Sequence, residues 1–422
     1  MSSQNRPSEQ MSDQTFNDTC DFIVKLGATA LGYGVSSFRL ESHLNRVTAA
    51  LGLRGDFLVT PEKIDSVLWR EGDEAQRISI ARAPAGFNMA GLAHVEELVL
   101  QVESGGVSVE VGTARLEEIE KTAPPFGPLM TAVSFGLISA GFAVLLSLSW
   151  HDVIIGTVLG VVTYAVVFLL GHSPRLVRMI NPLAAFVASI LAYVIAMQLA
   201  PGSKYMMVTL CAVIALIPNP GLVLGVGELS SGHIVSGAAR LISAIVVLIE
   251  LAFGAFLGTA IASALWTIPA GPAVASLGPV WAWVAVAVLG VGLAVLFQVR
   301  PKEFGWVVLG CVLAFAGVVF GGKVLGSGPG DLLGALVLGI FANGYAVLTR
   351  RPASIILLTG VMVLAPGYAS YLGLGTLQTS GVEAGLLAEF KVFVTIAWII
   401  GGLFIANTII PPTSTVQPLS KA

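Results

Sequence analysis

Charge is scarce in this sequence. Only 11% of the 422 residues are Asp, Glu, Lys or Arg, against 55% hydrophobic residues and a mean hydropathy of +0.86. That balance excludes an ordinary soluble globule of this length and fits a polytopic membrane protein. Cysteine is scarce too. Cys20, Cys211 and Cys311 are scattered, which excludes a disulfide framework and a cysteine-built metal set. The basic, aromatic-studded surface that nucleic acid needs is missing. The polar, acidic segment Met1–Asn17 lacks the apolar core of a signal peptide, and Cys20 lacks the apolar run that precedes a lipoprotein cysteine. Two catalytic patterns are incomplete. Gly34-Val35-Ser36-Ser37-Phe38 misses the second glycine of a nucleophile elbow. His94-Val95-Glu96-Glu97 has no second histidine one turn on, as a zinc helix requires. The chain therefore reads as a non-enzyme with no cofactor.

What is present is uneven. Up to Phe126 the chain carries 11 Lys/Arg and 18 Asp/Glu, a net of −7; from Gly127 onward it carries 11 and 7, a net of +4. The front reads as an acidic soluble domain, and the remainder as about ten apolar stretches, each long enough to cross a bilayer at 1.5 Å per residue. The expected organisation is a disordered tail over 1–14, a cytoplasmic α+β domain over 15–123, and five-helix membrane repeats over 127–262 and 276–411.

Within the front, apolar residues from Thr15 to Gly32 recur at helical spacing. Ser36 is placed to cap a second helix ending near Gly52. The period then changes, and Phe57–Val59, Ile64–Trp69 and Arg77–Ala81 read as short strands between Thr-Pro and Glu-Gly-Asp turns. Two helices follow, over Met89–Glu103 and Val107–Lys121. Arg39 and Glu41, beside Tyr33-Gly34, read either as a surface ion pair or as a sensing surface.

The expected spans are Gly127–Leu148, Val153–Gly171, Pro182–Leu199, Tyr205–Leu229 and Ile234–Ala262, then Val280–Val299, Phe304–Phe320, Leu332–Leu348, Ala353–Gly375 and Leu387–Ile410. Counting alternate sides, one face collects Lys121, Arg175, Arg178, Arg300, Lys302, Arg350, Arg351 and Lys421, and the other only Lys204 and Lys323. The excess of cations marks the cytoplasmic face and puts both termini there. Landmarks recur in order between the halves. Gly141-Phe-Ala-Val-Leu-Leu resembles Gly292-Leu-Ala-Val-Leu-Phe, Tyr193 lies opposite Tyr345, and Ala215-Leu-Ile-Pro-Asn-Pro-Gly221 resembles Val363-Leu-Ala-Pro-Gly367. A polar loop with Ser-Gly follows each (Ser231-Gly232; Ser380-Gly381), and the last spans carry Arg240 and Lys391. An odd number of spans per repeat inverts the second copy, the architecture of secondary transporters.

Pro218-Asn219-Pro220-Gly221 and Pro366-Gly367-Tyr368 each break a span inside its hydrophobic stretch. Proline removes a donor and clashes with the preceding turn, and lipid cannot satisfy the groups released, so such breaks survive only where protein or a wet cavity surrounds them. A half-helix starting near Gly221 or Gly367 offers N–H groups and a positive dipole end to a carboxylate; a packed kink is the plainer alternative. Intramembrane charge is the second signal. Arg240 and Lys391 can assist an anion or snorkel to the interface. Glu250 lies deeper and reads as a proton-carrying carboxylate, and Glu228 as a gate, a partner for the substrate's amino group or a second proton-coupling carboxylate. Asp152 and Asp331 fall near span ends and read as loop acids.

Together, these residues resemble the threonine/serine exporter family from about Thr15 to Ile410. The likeness is carried by Tyr33-Gly34, Arg39-Leu40-Glu41, Thr60-Pro61, Ile217-Pro-Asn-Pro-Gly-Leu222, Leu229-Ser-Ser-Gly232, Gly237-Ala-Ala-Arg240, Ala365-Pro-Gly-Tyr368 and Tyr371. Where a typical first break reads Pro-Gly-Pro-Gly, this chain has Asn219. The resemblance implies a fused two-module exporter of threonine and serine in a bacterial inner membrane, driven by the proton-motive force. Its partners would be a small amino acid, protons and the lipid bilayer, with a homo-oligomer left open. A dicarboxylate substrate, a membrane-tethered hydrolase and a passive channel are the alternatives.

Overall fold

A computed structural model describes residues 11–72, 76–82, 86–269, 275–326, 328–364, 366–379 and 382–411. Ala365, the Ser380-Gly381 loop and Lys421 lie outside the described residues, as do the side chains of Pro366 and Tyr368. The chain divides into two compact units. One comprises residues 1–87 and 91–123, the other Asn88–Ala90 and Pro124–Ala422.

The first unit runs α1 (Asp13–Gly32), α2 (Ser37–Ala50), β1 (Leu53–Val59), β2 (Lys63–Arg70), β3 (Gln76–Arg82), α3 (Met89–Glu103) and α4 (Val109–Lys121). The Ser12 hydroxyl caps α1 by accepting from Thr15 N–H, and Ser108 does the same for α4 through Val111 N–H. Ser36 occupies the expected capping position of α2, but its hydroxyl makes no capping bond. The strands form one antiparallel sheet in the order β1-β2-β3, with Asp56 opposite Val67 and Val67 opposite Ile78. Strand alternation sends Ile64, Ser66 and Leu68 of β2 inward. There they join a core with Phe22, Ile23, Leu26, Leu40, Leu44, Leu92 and Leu116. Lys25 links α1 to α4 through Glu117 at 3.1 Å, and Arg46 links α2 to α3 through Glu103 at 2.9 Å.

The second unit is helical. Its first half holds α5 (Pro128–Leu145), α6 (Trp150–Gly171), α7 (Ile180–Gln198), α8 (Tyr205–Val213), α9 (Asn219–Ser230) and α10 (Ile234–Leu265). Its second half holds α11 (Trp281–Leu296), α12 (Phe304–Leu325), α13 (Gly330–Thr349), α14 (Ser354–Leu364), α15 (Pro366–Thr379) and α16 (Val382–Ile409). Among the described residues, seven helices are long and apolar enough to cross a membrane. The stretch Tyr205–Leu216 with Asn219–Ser230 makes an eighth crossing if its 59° bend is counted as one broken span. Ten crossings were expected. The shortfall lies in α11, which has 16 residues, and in α14, which has 11 and stops at Leu364. Proline explains the second case, because Pro366 begins a new helix and cannot continue the old one. Large apolar side chains such as Leu129, Ile154, Leu169, Phe253, Phe320, Leu348 and Phe390 face outward, as a protein dissolved in hydrocarbon requires.

The same neighbours recur in the two halves. α5 packs on α6, α6 on α7 and α8, α7 on α8 and α10, and α9 on α10. Correspondingly α11 packs on α12, α12 on α13 and α14, α13 on α14 and α16, and α15 on α16. The details match as well. Gly254 approaches the backbone carbonyl of Pro182, and Gly402 that of Leu332, so closely that no Cβ fits. Pro182 and Leu332 are each the third residue of their helix, and Gly254 and Gly402 each the twenty-first. Small residues let helix backbones meet where lipid supplies no hydrophobic drive. Between the halves α5 packs on α11 reciprocally: a Cβ on Gly141 would meet Leu289, and one on Gly292 would meet Ile138. Gly141 and Gly292 are the landmarks that the sequence aligned.

Candidate substrate site at the broken helices

The first break forms where Ile217 turns extended and Pro218 starts a new helix at the N-cap of α9. Pro220 sits in the first turn, where its missing N–H costs nothing. Gly221 follows, and a Cβ there would meet Ala244 at an ordinary 3.4 Å. Asn219 is fully buried. Its Oδ1 accepts the backbone N–H of Gly367 at 2.7 Å, from 148 residues away. Gly367 is the second residue of α15, so the two breaks meet directly. Pro366 and Tyr368 flank that contact in the backbone of α15. A side chain at Gly367 would strike Asn219 Oδ1 and reach 2.6 Å from Ile217 Cγ2. Among the described residues, Asn219 Nδ2 is buried without a hydrogen-bond partner.

One helix further on lies a buried ion pair. α9 ends in a turn through Gly232 at φ +88°, a left-handed conformation suited to glycine, and His233 N–H returns to Glu228 O at 2.9 Å. That turn folds α10 back along α9. Ser236 and Arg240, one turn apart on α10, then share a face toward Glu228. The Glu228 carboxylate accepts from Ser236 Oγ at 2.8 Å, from Arg240 Nε at 3.2 Å and from Arg240 Nη2 at 3.3 Å. Glu228 is 0% exposed and the Arg240 side chain 16%. The carboxylate also faces the first turn of α10, whose N-terminal dipole end favours it. Sequence reasoning named Glu228 and Arg240 separately and overlooked Ser236. The signal was there: a glycine turn followed by Ser and Arg four residues apart.

The other expected residues lie elsewhere. Glu250 accepts from Asn181 Nδ2 of α7 at 2.8 Å. It sits ten residues beyond Arg240, about 15 Å along the helix. Lys391 is exposed on α16 and takes no ion pair among the described residues. It is also not the register match of Arg240. The third and seventh residues of α10 are Ser236 and Arg240, and those of α16 are Ala384 and Ala388. Asp152 is no loop acid. It is 2% exposed, closes a capping box with Ser149 at the start of α6, and accepts from Ser203 Oγ at 2.5 Å. Glu303, in the turn before α12, is 1% exposed and bound by Arg300 at 2.7 Å and by Arg351.

A bundle of apolar helices with broken members meeting inside it is the architecture of a multi-pass membrane protein. Its family follows from comparison with known sequences: the model of the family described as "Putative threonine/serine exporter" matches residues 21–262, and the chain belongs to that family. It is similar to an uncharacterized protein of Schizosaccharomyces pombe, 26% identical over 386 residues, covering 86% of this chain and 49% of the relative. It is also similar to the pheromone-regulated membrane protein 10 of Pichia sorbitophila (24% over 371 residues; 83% and 36%) and of Candida albicans (23% over 374 residues; 83% and 32%). The chain thus spans half or less of the length of these relatives. No solved structure matches it.

Proposed function

We propose that this chain is a secondary active transporter that exports small amino acids, threonine or serine first, in exchange for protons. The observation that carries the reading is the meeting of the two breaks, Asn219 Oδ1 on Gly367 N–H. Paired broken helices converging in a bundle are where transporters of this architecture hold small anions. The half-helices beginning at Pro218-Asn219-Pro220-Gly221 and at Pro366-Gly367-Tyr368 would turn their positive dipole ends toward the substrate carboxylate.

The recurring helix neighbours and the reciprocal Gly141 and Gly292 contacts support two five-helix repeats related by a pseudo-two-fold axis. With an odd number of spans in each, the axis lies in the membrane plane and the copies are inverted. Both termini then face the cytoplasm, in a bacterial inner membrane. Rocking of one repeat against the other would alternate access.

Glu228 and Glu250 are the proton-carrying candidates. Protonation of Glu228 would free Arg240 from its partner and give the site a cation for the substrate anion. Purified full chain in proteoliposomes loaded with labelled threonine tests the reading. Efflux should accelerate with an imposed inward proton gradient. Indifference to the gradient would remove antiport, and efflux of succinate in place of threonine would move the substrate to dicarboxylates. Glu250→Gln should lower the gradient's effect on efflux; unchanged coupling would leave Glu228 as the carrier.

A further inference from the structure

Asn219 does two things at once, and only one of them is satisfied. Gly367 N–H is a donor, so the atom facing it must be the amide oxygen. That fixes the orientation of the side chain: Nδ2, with its two hydrogens, is turned away from the bond that Oδ1 makes. It is buried and unpartnered among the described residues. A buried donor left unmade costs about 1–3 kcal/mol, so Asn219 at this position is unfavourable unless something accepts from it. The donor stands beside the N-terminus of a 14-residue helix, whose dipole favours negative charge. Both features call for an oxygen acceptor, and an anionic one above a neutral one.

We infer that Asn219 is a two-sided clamp, its oxygen holding the second broken helix through Gly367 and its Nδ2 donating to a carboxylate oxygen of the transported molecule. The inference rests on the proposed site and goes further by assigning one ligand group to one side-chain atom. The clamp also makes Asn219 specificity-determining: it selects for the carboxylate end of the ligand and is indifferent to the amino end. It couples occupancy to the contact between the two breaks as well, because one planar amide carries both bonds.

Binding to purified full-length protein tests this, with threonine, succinate and threoninol (the amino alcohol lacking the carboxylate) as probes. Asn219→Asp keeps an oxygen for Gly367 N–H and replaces the donor by a repelling oxygen. It should weaken whichever carboxylate ligand the parent binds by about tenfold or more, the scale of one charge-assisted bond. Threoninol should move less than threefold. Asn219→Ser, too short to bridge both partners, should weaken the same ligands with unchanged overall fold and guards against misfolding of the aspartate variant. Carboxylate binding equal to the parent in both variants would overturn the clamp and leave a structural cap satisfied by water. Equal losses for threoninol and threonine would overturn the assignment to the carboxylate. If the parent binds succinate and not threonine, the amino-acid reading falls, while the Asn219→Asp arm still decides the clamp.

Discussion

The two halves of the membrane unit share a scaffold and differ in where they keep their charge. In both, the last helix meets the third through a bare glycine, at Gly254 in one and Gly402 in the other. In both, a buried carboxylate near the start of the second helix binds the loop after the third: Asp152 with Ser203, and Glu303 with Arg351. The contrast lies at the broken helices. The first half places Asn219 at its break and the Glu228–Ser236–Arg240 cluster in the hairpin after it. The second half offers Gly367, and alanines where Ser236 and Arg240 would be. Packing positions were kept in both halves, and site chemistry stands in one of them. On the proposed reading, a substrate between such halves would meet side chains from the first and mostly backbone from the second.

The largest expected effect comes from splitting the ion pair. Glu228→Ala leaves Arg240 in a buried place without its carboxylate and should cost about 3–5 kcal/mol, read as a fall in thermal midpoint in detergent. Glu228→Gln with Arg240→Met should recover most of that stability while transport stays lost. Recovery of transport in the double variant would show the pair to be structural only.

A smaller effect separates the two breaks. Gly367→Ala forces a methyl into Asn219 and Ile217 and should cost about 1–3 kcal/mol, as overpacking does, together with export. Gly221→Ala meets only ordinary contacts and sits within a helix, where alanine is favoured by about 0.5–1 kcal/mol. It should be neutral or stabilising for the fold. Equal loss of stability from both would erase the asymmetry between the two breaks.

The smallest effect contrasts the membrane unit with the first unit. Burial pushes the Glu96 carboxyl up to about 7, against the opposing pull of Arg39 and Arg46. Burial, with Arg46 and Arg39 adding to it, pushes His43 down to about 3. A raised acid contributes stability that is full below its unfolded value of 4.5 and is lost as pH rises through about 7. A depressed histidine works the other way, its contribution being present above 6.5 and lost as pH falls toward 3. The two slopes oppose each other up to pH 6.5, so hydrogen exchange of α2 and α3 in the full chain should show protection nearly level between pH 5 and 6.5 and falling between pH 6.5 and 7.5 once intrinsic rates are removed. Glu96→Gln should flatten that slope; an unchanged slope would assign it elsewhere.

Much of the scaffold was legible because it rests on local rules. The change of period after Gly52 and the flanking turns marked Ile64–Trp69 as a strand, and the apolar runs marked the helices. Both breaks were legible because proline acts on its own neighbours whatever the fold. The contents of the site were less so. Asn219 and Gly367 lie 148 residues apart, and no periodicity links them. Glu228 and Arg240 are joined only once a glycine turn reverses the chain. The pairing of Lys391 with Arg240 failed because apolar helices align at several registers, and bare-backbone contacts at Gly254 and Gly402 fix which one holds. Asp152 passed for a loop acid because its capping role depends on Ser149 and Ser203 closing around it.

The seam between the halves has one more property. α5 and α11 lie side by side with 18 and 16 residues, lengths of about 27 and 24 Å, against a hydrocarbon layer of about 30 Å. Trp150 and Trp281, edge to face at 5.1 Å, stand at the starts of α6 and α11, in the manner of residues that settle at headgroup depth. α5 is just long enough to cross and α11 falls short of it, so lipid that thinned to match this line would do so by a few Å. Such thinning would bring the water on either side closer together here than along the longer helices.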